Sequence, residues 1–268
     1  MLAGAQQQWR HFLVALGFLT RVPVMYLHHF EQRDLDAALK YFPLVGLLVG
    51  ALGAVVYWLA LQVLPQALAV VLSMASTIYV TGAFHEDGLA DSVDGIGGGW
   101  EREQMLTIMQ DSRLGTFGAV ALFGALFTKF QALNHLSSVW VPALLMVAHA
   151  LSRLAAIWMM ASMPLAKLNG KSKPLATQLS MGDLCVANGF GIMPLLLFGV
   201  ILELSMGQLM PLFTLVGMLL IPMLLVGWWW RQKVFKHLGG YTGDTLGAMQ
   251  QLTELTIYLG ALAWSTRF

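Results

Sequence analysis

Charged residues are scarce in this chain. Only 11% of its 268 residues are Asp, Glu, Lys or Arg, whereas 57% are hydrophobic and the mean hydropathy is +0.69. A typical soluble domain has about 25% charged residues, so this chain has too few to cover a water-exposed surface. The formal net charge is only +1 and there is no run of Lys and Arg, which argues against a nucleic-acid partner.

Cysteine is almost absent as well. The single Cys185 excludes an internal disulfide framework and any zinc site built from several cysteines. Its apolar surroundings predict a small buried side chain. The N-terminus lacks a short apolar stretch with a small-residue cleavage site, so we predict no cleaved signal peptide. No internal repeat or shift in composition divides the chain, and we therefore expect residues 1–268 to form a single membrane-embedded domain.

What the chain has instead is a series of long apolar stretches. A bilayer crossing needs roughly 20 such residues. An earlier stretch, 9–20, is too short to cross and is closed by Arg21 and Pro23, so we expect an interfacial helix there. The predicted fold is an all-α, polytopic helical bundle of about seven spans plus this N-terminal helix. The predicted spans are 42–64, 67–84, 114–133, 139–162, 184–204, 209–230 and 245–264.

The distribution of Lys and Arg predicts the orientation of these spans. If the N-terminus is cytosolic, Arg153 falls within a span and only Lys129 and Arg267 fall outside. We therefore expect an inner-membrane protein whose N-terminus and long polar segments face the cytosol. The twelve cations on the cytosolic side are Arg10, Arg21, Arg33, Lys40, Arg102, Arg113, Lys167, Lys171, Lys173, Arg231, Lys233 and Lys236.

The densest group of acidic residues follows the second predicted span. Glu86, Asp87, Asp91 and Asp94 fall within nine positions of a glycine-rich loop. The three aspartates are spaced i, i+4, i+7 and would share one face of a helix, where like charges repel unless a cation lies between them. Hard oxygen ligands suit Mg²⁺ or Mn²⁺ bound together with substrate phosphate oxygens. The segment predicts a divalent-metal site, and a solvated acidic loop is the alternative.

Neighbouring residues suggest that the same loop binds phosphate. Gly97 and Gly98 would let backbone N–H groups approach a phosphate closely. His85 is interpreted either as an acid or base or as a hydrogen-bonded structural histidine. These residues extend the candidate site on both sides of the aspartates.

A second polar block, MQDSRLGTFG at 109–118, leads into the third span. It contains Asp111, Ser112 and Arg113, and the planar guanidinium of Arg113 suits a phosphate. An ordinary cation anchored at the membrane interface is the alternative for Arg113 alone.

Two ionisable residues lie within predicted spans, where a charge is costly. Arg153 follows His149 by four residues on the same helical face, and Glu254 lies two to three turns into the last span. We expect both to line a polar cavity, and a structural ion pair between them is the competing interpretation.

The last polar segment, GGYTGDTLGA at 239–248, precedes that final span. Glycines before a helix N-terminus are typical of an anion-binding turn. Thr242, Gly243 and Asp244 are therefore candidate binding residues, although Thr242 or Asp244 could equally cap the helix.

Together these blocks resemble the cobalamin synthase family, the adenosylcobinamide-GDP ribazoletransferases. The matching pieces are LTRVPV at 19–24, FHEDGLADSVDG at 84–95, MQDSRLGTFG at 109–118 and GGYTGDTLGA at 239–248, so the resemblance covers nearly the whole chain. It implies a catalytic domain for the last step of nucleotide-loop assembly. In that step the 3′-hydroxyl of α-ribazole, or of its 5′-phosphate, attacks the phosphate on cobinamide in adenosylcobinamide-GDP, and GMP leaves.

The resemblance also implies roles for individual residues. Mg²⁺, with Mn²⁺ as a substitute, would be held on the pyrophosphate by the three aspartates, and one of them or His85 would accept the ribose proton. Position 86 alternates between acidic and apolar residues in the family pattern, which weakens a metal role for Glu86. The expected partners are the two substrates, the lipid bilayer and other cobalamin-pathway membrane proteins. Arg113 is expected to act in catalysis by stabilising the charge on the phosphate. The expected substrate-binding residues are Gly97, Gly98, Asp111, Ser112, Arg153, Thr242, Gly243, Asp244 and Glu254.

Two other functions are alternatives to this one. A lipid head-group phosphotransferase of the CDP-alcohol type would need Arg after Asp87-Gly88-Leu89-Ala90, where this chain has Asp91. A transporter would place acidic residues near the bilayer midplane, commonly in repeated halves. This chain gathers them at one surface, and only Arg153 and Glu254 favour transport.

Overall fold

The computed structural model describes residues 2–24, 31–166, 179–206 and 210–267, and these residues form a helical bundle. Lys167, Lys171 and Lys173, counted above for orientation, and residue 209, where the sixth predicted span begins, lie outside the described residues. The helices are α1 (Leu2–Leu19), α2 (Gln32–Ala38), α3 (Phe42–Leu61), α4 (Gln66–Thr81), α5 (Phe84–Gly98), α6 (Arg102–Met109), α7 (Thr116–His135), α8 (Val141–Ser162), α9 (Met181–Met206), α10 (Met210–Leu238) and α11 (Gly243–Ser265).

Long apolar helices confirm the prediction of an all-α, multi-pass membrane bundle. Within the described ranges, five stretches are long and apolar enough to cross a bilayer, and a sixth is present if α4 and α5 count as one broken span. The structure thus gives five or six spans by length and composition, where the sequence predicted about seven. The N-terminal α1 is not among them, in line with its prediction as a helix that does not cross. The five stretches are Gln32–Leu61, Thr116–His135, Val141–Ser162, Met181–Ser205 and Leu212–Leu238.

The seventh predicted span, α11, is too polar to be counted with these stretches. It lies at the centre of the bundle, where it packs against α5, α7, α8 and α10. A helix enclosed by other helices needs no lipid-compatible surface, which explains its polar composition. Its buried polar side chains are Thr245, Gln250, Gln251, Thr253 and Glu254.

Arg153 lies in the interior of the bundle, where α3 and α8 are in close contact. A Cβ atom at Gly46 would lie 2.2 Å from the carbonyl oxygen of His149, and one at Gly50 would lie 2.6 Å from that of Leu145. Glycine lets two membrane helices approach to backbone contact. The α8 segment that includes His149 and Arg153 is consequently enclosed by protein.

A bend of 85° separates α4 from α5. Gly82 and Ala83 at the bend both have left-handed backbones, with φ of 69° and 59°, and for Ala83 this conformation is strained. Arg21 packs against the bend, because its backbone N–H donates to the carbonyl of Val80 over 2.7 Å. The fifteen residues of α5 span about 22 Å. After so sharp a bend, α5 does not continue along the axis of α4.

The prediction of a buried Cys185 is wrong. Its side chain is exposed on α9, among other exposed apolar residues such as Met193 and Ile201. The surface of a membrane-spanning helix is covered by lipid, so a weakly polar thiol is accommodated there without burial inside the protein.

Candidate active site

The acidic segment is a helix, α5, and not the loop that the sequence suggested. Asp87 is exposed and Asp91 half-buried on the face that the i, i+4 spacing predicts. Gly97 and Gly98 belong to the last turn of α5, where backbone N–H groups are engaged within the helix, and a Cβ at Gly97 would lie 3.1 Å from the ring of Phe117. The predicted use of these two glycines as phosphate-binding N–H donors is therefore wrong in this conformation.

Two glycines bring α5 and α11 together at backbone contact. A Cβ at Gly88 would lie 2.8 Å from the carbonyl oxygen of Asp244, and one at Gly247 would lie 3.2 Å from the Cα of Gly88. This crossing places Asp244, from the far end of the chain, beside the aspartates of α5. The acidic cluster of this site consists of Asp87, Asp91 and Asp244.

Two carboxyl groups of this cluster, Asp91 and Asp244, have raised pKa values. Burial raises the pKa of Asp91 to about 7, with further contributions from the charges of Asp87, Asp244 and Asp94. Burial and the charge of Asp87 raise the pKa of Asp244 to about 6, against a hydrogen bond from Thr242 that lowers it. Like charges gathered in this way favour a bound proton or a cation.

Asp94 has a different role from the one predicted. Its two carboxylate oxygens accept hydrogen bonds from the backbone N–H groups of Gly115 and Gly118, each over 2.8 Å, at the start of α7. A Cβ at either glycine would lie 2.3 Å from a carboxylate oxygen. Asp94 thus satisfies free N–H groups at a helix N-terminus, which explains the glycines of the 109–118 block.

The predicted ligand set must therefore change. With Asp94 held by α7, the trio Asp87, Asp91 and Asp94 is not gathered around one point. Among the described residues no three His, Cys, Asp or Glu side chains already form a metal site. The acidic cluster still fits a divalent cation, since Mg²⁺ usually takes one or two carboxylates and completes its shell with water and substrate phosphate oxygens.

Arg113 lies at the surface next to the site and is paired locally. Its side chain is 87% exposed, and its Nε donates to both carboxylate oxygens of Asp111 over 3.0 Å. The same hydrogen bonds lower the pKa of Asp111 to about 2. Arg113, Asp111 and Asp94 border one open cavity, in which Ser112 is not a lining residue. A phosphate in that cavity would meet an Arg113 whose charge is partly neutralised.

Thr242 caps α11. Its hydroxyl accepts from the N–H of Thr245 over 3.2 Å, while the Thr245 hydroxyl accepts from the N–H of Thr242 over 2.8 Å. Thr242 is buried, and its structural role was one of the two alternatives left open. Gly243 opens the helix and borders a small apolar cavity with His85 and Arg153.

The ionisable residues of the spans form a buried network. Glu254 is paired with Lys129 over 2.9 Å, and its other oxygen lies 3.5 Å from His149 Nδ1. Arg153 donates to His149 Nδ1 over 3.1 Å and to the His149 carbonyl over 3.0 Å. Glu254 therefore pairs with Lys129, and Arg153 meets it only through His149. Arg153 is 2% exposed and Glu254 1%, so their predicted direct contact with substrate does not fit this conformation.

Lys129 and Glu86 also differ from their predicted placements. Lys129 was counted among the cations outside the membrane, yet it is buried within α7. Glu86 is buried and accepts a hydrogen bond from Gln251 over 2.9 Å, so it faces the interior and not the acidic cluster. Burial raises the pKa of Glu86 and lowers that of His85, which is also buried on α5. Neither residue lies with Asp87 and Asp91.

Several residues of this arrangement escaped the sequence analysis. Gln250 and Gln251 precede Glu254 in the last predicted span, and such a run of polar residues in a crossing signals buried partners. Lys129, in the middle of an apolar stretch, carried the same signal. The role of Gly118 had no comparable signal, because the carboxylate it contacts lies 24 positions away.

Comparison with known proteins identifies the chain. Residues 11–262 match the family model described as cobalamin-5-phosphate synthase. Proteins named adenosylcobinamide-GDP ribazoletransferase from Ralstonia pickettii (strain 12J) and Shewanella pealeana are 41% and 43% identical over 262 and 259 residues, covering 97% and 95% of both chains. A third, from Leptothrix cholodnii, is 43% identical over 271 residues and covers 98% of both chains. No solved structure matches the chain. The chain belongs to the cobalamin-5-phosphate synthase family.

Proposed function

We propose that this enzyme is an adenosylcobinamide-GDP ribazoletransferase whose reaction takes place at the acidic cluster. The single observation that carries the proposal is the crossing at Gly88 and Gly247, which brings Asp87 and Asp91 of α5 beside Asp244 of α11. Relatives at about 40% identity over nearly the whole chain carry that name. A displacement at a pyrophosphate needs charge neutralisation and in-line positioning more than covalent catalysis.

The reaction joins two substrates at phosphorus. The 3′-oxygen of α-ribazole, or of its 5′-phosphate, forms a bond to the phosphorus attached to cobinamide, and the bond from that phosphorus to the GMP oxygen breaks. The hydroxyl proton passes to a carboxylate of the acidic cluster. GMP leaves with the bridging oxygen. The products are adenosylcobalamin, or its 5′-phosphate, and GMP.

A divalent cation belongs to this proposal. Asp87, Asp91 and Asp244 would hold Mg²⁺ or Mn²⁺, which supplies positive charge to the pyrophosphate oxygens. Asp94 orients α5 by its contacts with Gly115 and Gly118. Arg113, at the border of the neighbouring cavity, would contact phosphate by exchanging part of its pairing with Asp111.

The proposal extends to the surroundings of the enzyme. Inner-membrane localisation with a cytosolic site follows the distribution of Lys and Arg. The burial of Lys129 removes one of the two outer cations and so strengthens that distribution. A cytosolic site would receive both water-soluble substrates directly and could meet other membrane proteins of the same pathway.

An assay on purified protein in detergent tests the proposed reaction. Adenosylcobinamide-GDP and α-ribazole should release GMP only when both substrates and Mg²⁺ are present. We expect Asp91→Ala and Asp244→Asn to lower GMP release at least about 100-fold, while Glu103→Gln, an exposed acidic residue of α6, serves as the matched control.

Other outcomes would point elsewhere. A transporter releases no GMP in detergent, and a CDP-alcohol phosphotransferase would instead release CMP from a CDP-alcohol. Full activity of Asp91→Ala and Asp244→Asn would remove the acidic cluster from the reaction.

A further inference from the structure

A continuous chain of buried hydrogen bonds links α7 to α5 through α11. Lys129 Nζ donates to Gln251 Oε1 over 3.1 Å, and Gln251 Nε2 donates to Glu86 Oε1 over 2.9 Å. All three side chains are at most 7% exposed. Lys129 is held in place by its second partner, Glu254. One end of this series of hydrogen bonds is thus anchored in the bundle interior, and the other end is bonded to Glu86 of α5.

The hydrogen bond to Glu86 lies one residue before Asp87, the first member of the acidic cluster. Successive residues of a helix point about 100° apart, so a helix that turns Glu86 inward must turn Asp87 toward a different side. Glu86 is buried against α11, whereas Asp87 is exposed. The hydrogen bond to Glu86 therefore constrains the rotation of α5 about its own axis. Asp87 and Asp91 lie on either side of Gly88, which contacts the backbone of Asp244.

Helix α5 needs such a tertiary contact because its intrinsic helix propensity is low. Gly88, Gly95, Gly97 and Gly98 all lie within α5, and each glycine lowers helix propensity by about 1 kcal/mol relative to alanine. Asp94 anchors the C-terminal half of α5 to α7. The N-terminal half, which carries Asp87, has Glu86 as its polar anchor.

Burial of these polar groups costs free energy, so it does not serve stability alone. Among the described residues, the second oxygen of Glu86 is buried without a hydrogen-bond partner, which costs free energy that an apolar side chain would avoid. A directional hydrogen bond fixes rotation, which apolar packing does less well. The arrangement therefore suits a positioning role.

We propose that Lys129, Gln251 and Glu86 form a brace that sets the rotation of α5 and so positions Asp87 and Asp91 beside Asp244 to bind a divalent cation. None of the three contacts the substrate or the cation. They are positioning residues, and the inference deepens the proposed function, on which its metal-binding part rests.

The test uses full-length protein in detergent and Mn²⁺ as the probe. Gln251→Leu removes both hydrogen bonds of this series, together with the one that Gln251 Nε2 donates to Gln250 Oε1, at nearly constant volume. We expect Mn²⁺ affinity, measured by electron paramagnetic resonance of the free ion, to fall at least about tenfold, and amide hydrogen exchange of the metal-free protein to rise in the first half of α5. Thr253→Val, which removes a buried hydroxyl bonded only within α11, is the matched control and should change neither measurement.

A swap separates positioning from general packing. Glu86→Gln combined with Gln251→Glu exchanges the two groups, keeps the net charge and again offers a donor to an acceptor. We expect this double variant to recover Mn²⁺ affinity to within about threefold of wild type, while Gln251→Glu alone, with two facing carboxylates, does not recover it. This comparison also serves if Gln251→Leu fails to fold.

The two proposals fail in distinguishable ways. Wild-type affinity and wild-type exchange in Gln251→Leu, or equal losses in Thr253→Val, would overturn the brace. If wild-type protein binds no Mn²⁺, the proposed metal site fails. The rotation part of the brace is then decided by hydrogen exchange alone, where unchanged protection of α5 in Gln251→Leu would overturn it.

Discussion

At the scale of single residues, Asp94 shows how a side chain can belong to a site without binding its ligand. Both of its oxygens are used by the N–H groups of Gly115 and Gly118. The carboxylate thereby joins the two segments that border the candidate phosphate cavity. Its spacing from Asp87 suggested a third metal ligand, but spacing along one helix cannot reveal that a second helix begins at the same point.

Gly118→Ala should destabilise the protein through this contact. The new Cβ would lie 2.3 Å from one oxygen of Asp94 and 2.8 Å from the carbonyl of Ala90, so we expect a loss of roughly 1–3 kcal/mol in stability and a lower thermal unfolding midpoint in detergent. Gly124→Ala is the control in the same helix, since its new Cβ would meet nothing within 4 Å beyond the adjacent backbone of its own helix. An unchanged midpoint in Gly118→Ala would contradict the described hydrogen bonds of Asp94.

At the scale of helices, the crossing of α5 and α11 determines whether the acidic cluster exists. A Cβ added at Gly88 would lie 2.8 Å from the carbonyl oxygen of Asp244, and one added at Gly247 would lie 3.2 Å from the Cα of Gly88. A Cβ added at Gly98 would meet only a side chain, at 3.6 Å. We therefore expect Gly88→Ala to separate the helices most, Gly247→Ala less, and Gly98→Ala hardly at all.

The order of these effects is measurable. Gly88→Ala should weaken Mn²⁺ binding and lower GMP release by roughly tenfold or more, with Gly247→Ala intermediate and Gly98→Ala near wild type. A reversed order, or equal losses in all three variants, would show that the crossing does not control the site.

The helices were predictable from the sequence to different degrees. The predicted starts at 42, 114 and 139 lie within two residues of α3, α7 and α8, because each apolar run is bounded by polar residues. The segment of α5 was interpreted as a loop because glycine disfavours helices. Tertiary packing nevertheless favours glycine within this helix. At Gly95, for example, the neighbouring Met109 side chain would lie 2.5 Å from an added Cβ, so only glycine fits.

The site was predictable only in part for a similar reason. The aspartates of α5 and Asp244 were recognised as chemical groups from local motifs. The partners that orient them lie far away in the chain, since Gln251 and Glu86 are 165 positions apart. Pairings of this kind depend on how helices pack, which no local pattern contains.

At the scale of the whole molecule, the acidic cluster makes stability depend on pH and on cations. The folded-state pKa of Asp91, about 7, and that of Asp244, about 6, both exceed the ordinary value of 3.8. Folding therefore favours the protonated forms. The stabilisation they provide is complete below about pH 4 and is lost as the pH rises through 6 and 7.

Metal-free protein should accordingly unfold at a lower temperature at pH 8 than at pH 5, relative to the Asp91→Asn, Asp244→Asn double variant. Solvent screening limits the difference to roughly 1 kcal/mol, or about 2–4 °C in the midpoint. Added Mg²⁺ should raise the midpoint of the wild type at pH 8 and leave that of the double variant unchanged. Identical pH profiles for the two proteins would count against the clustering of these carboxylates.

The dependence of α5 on the neighbouring helices has a consequence for any attempt to shorten this protein. Helix α5 is short, rich in glycine and bordered by carboxylates that repel each other. It takes its shape from α7 and α11, whose polar contacts with it are sheltered from water. A water-soluble fragment assembled from the polar segments alone would keep every aspartate of the site, yet those aspartates would no longer converge.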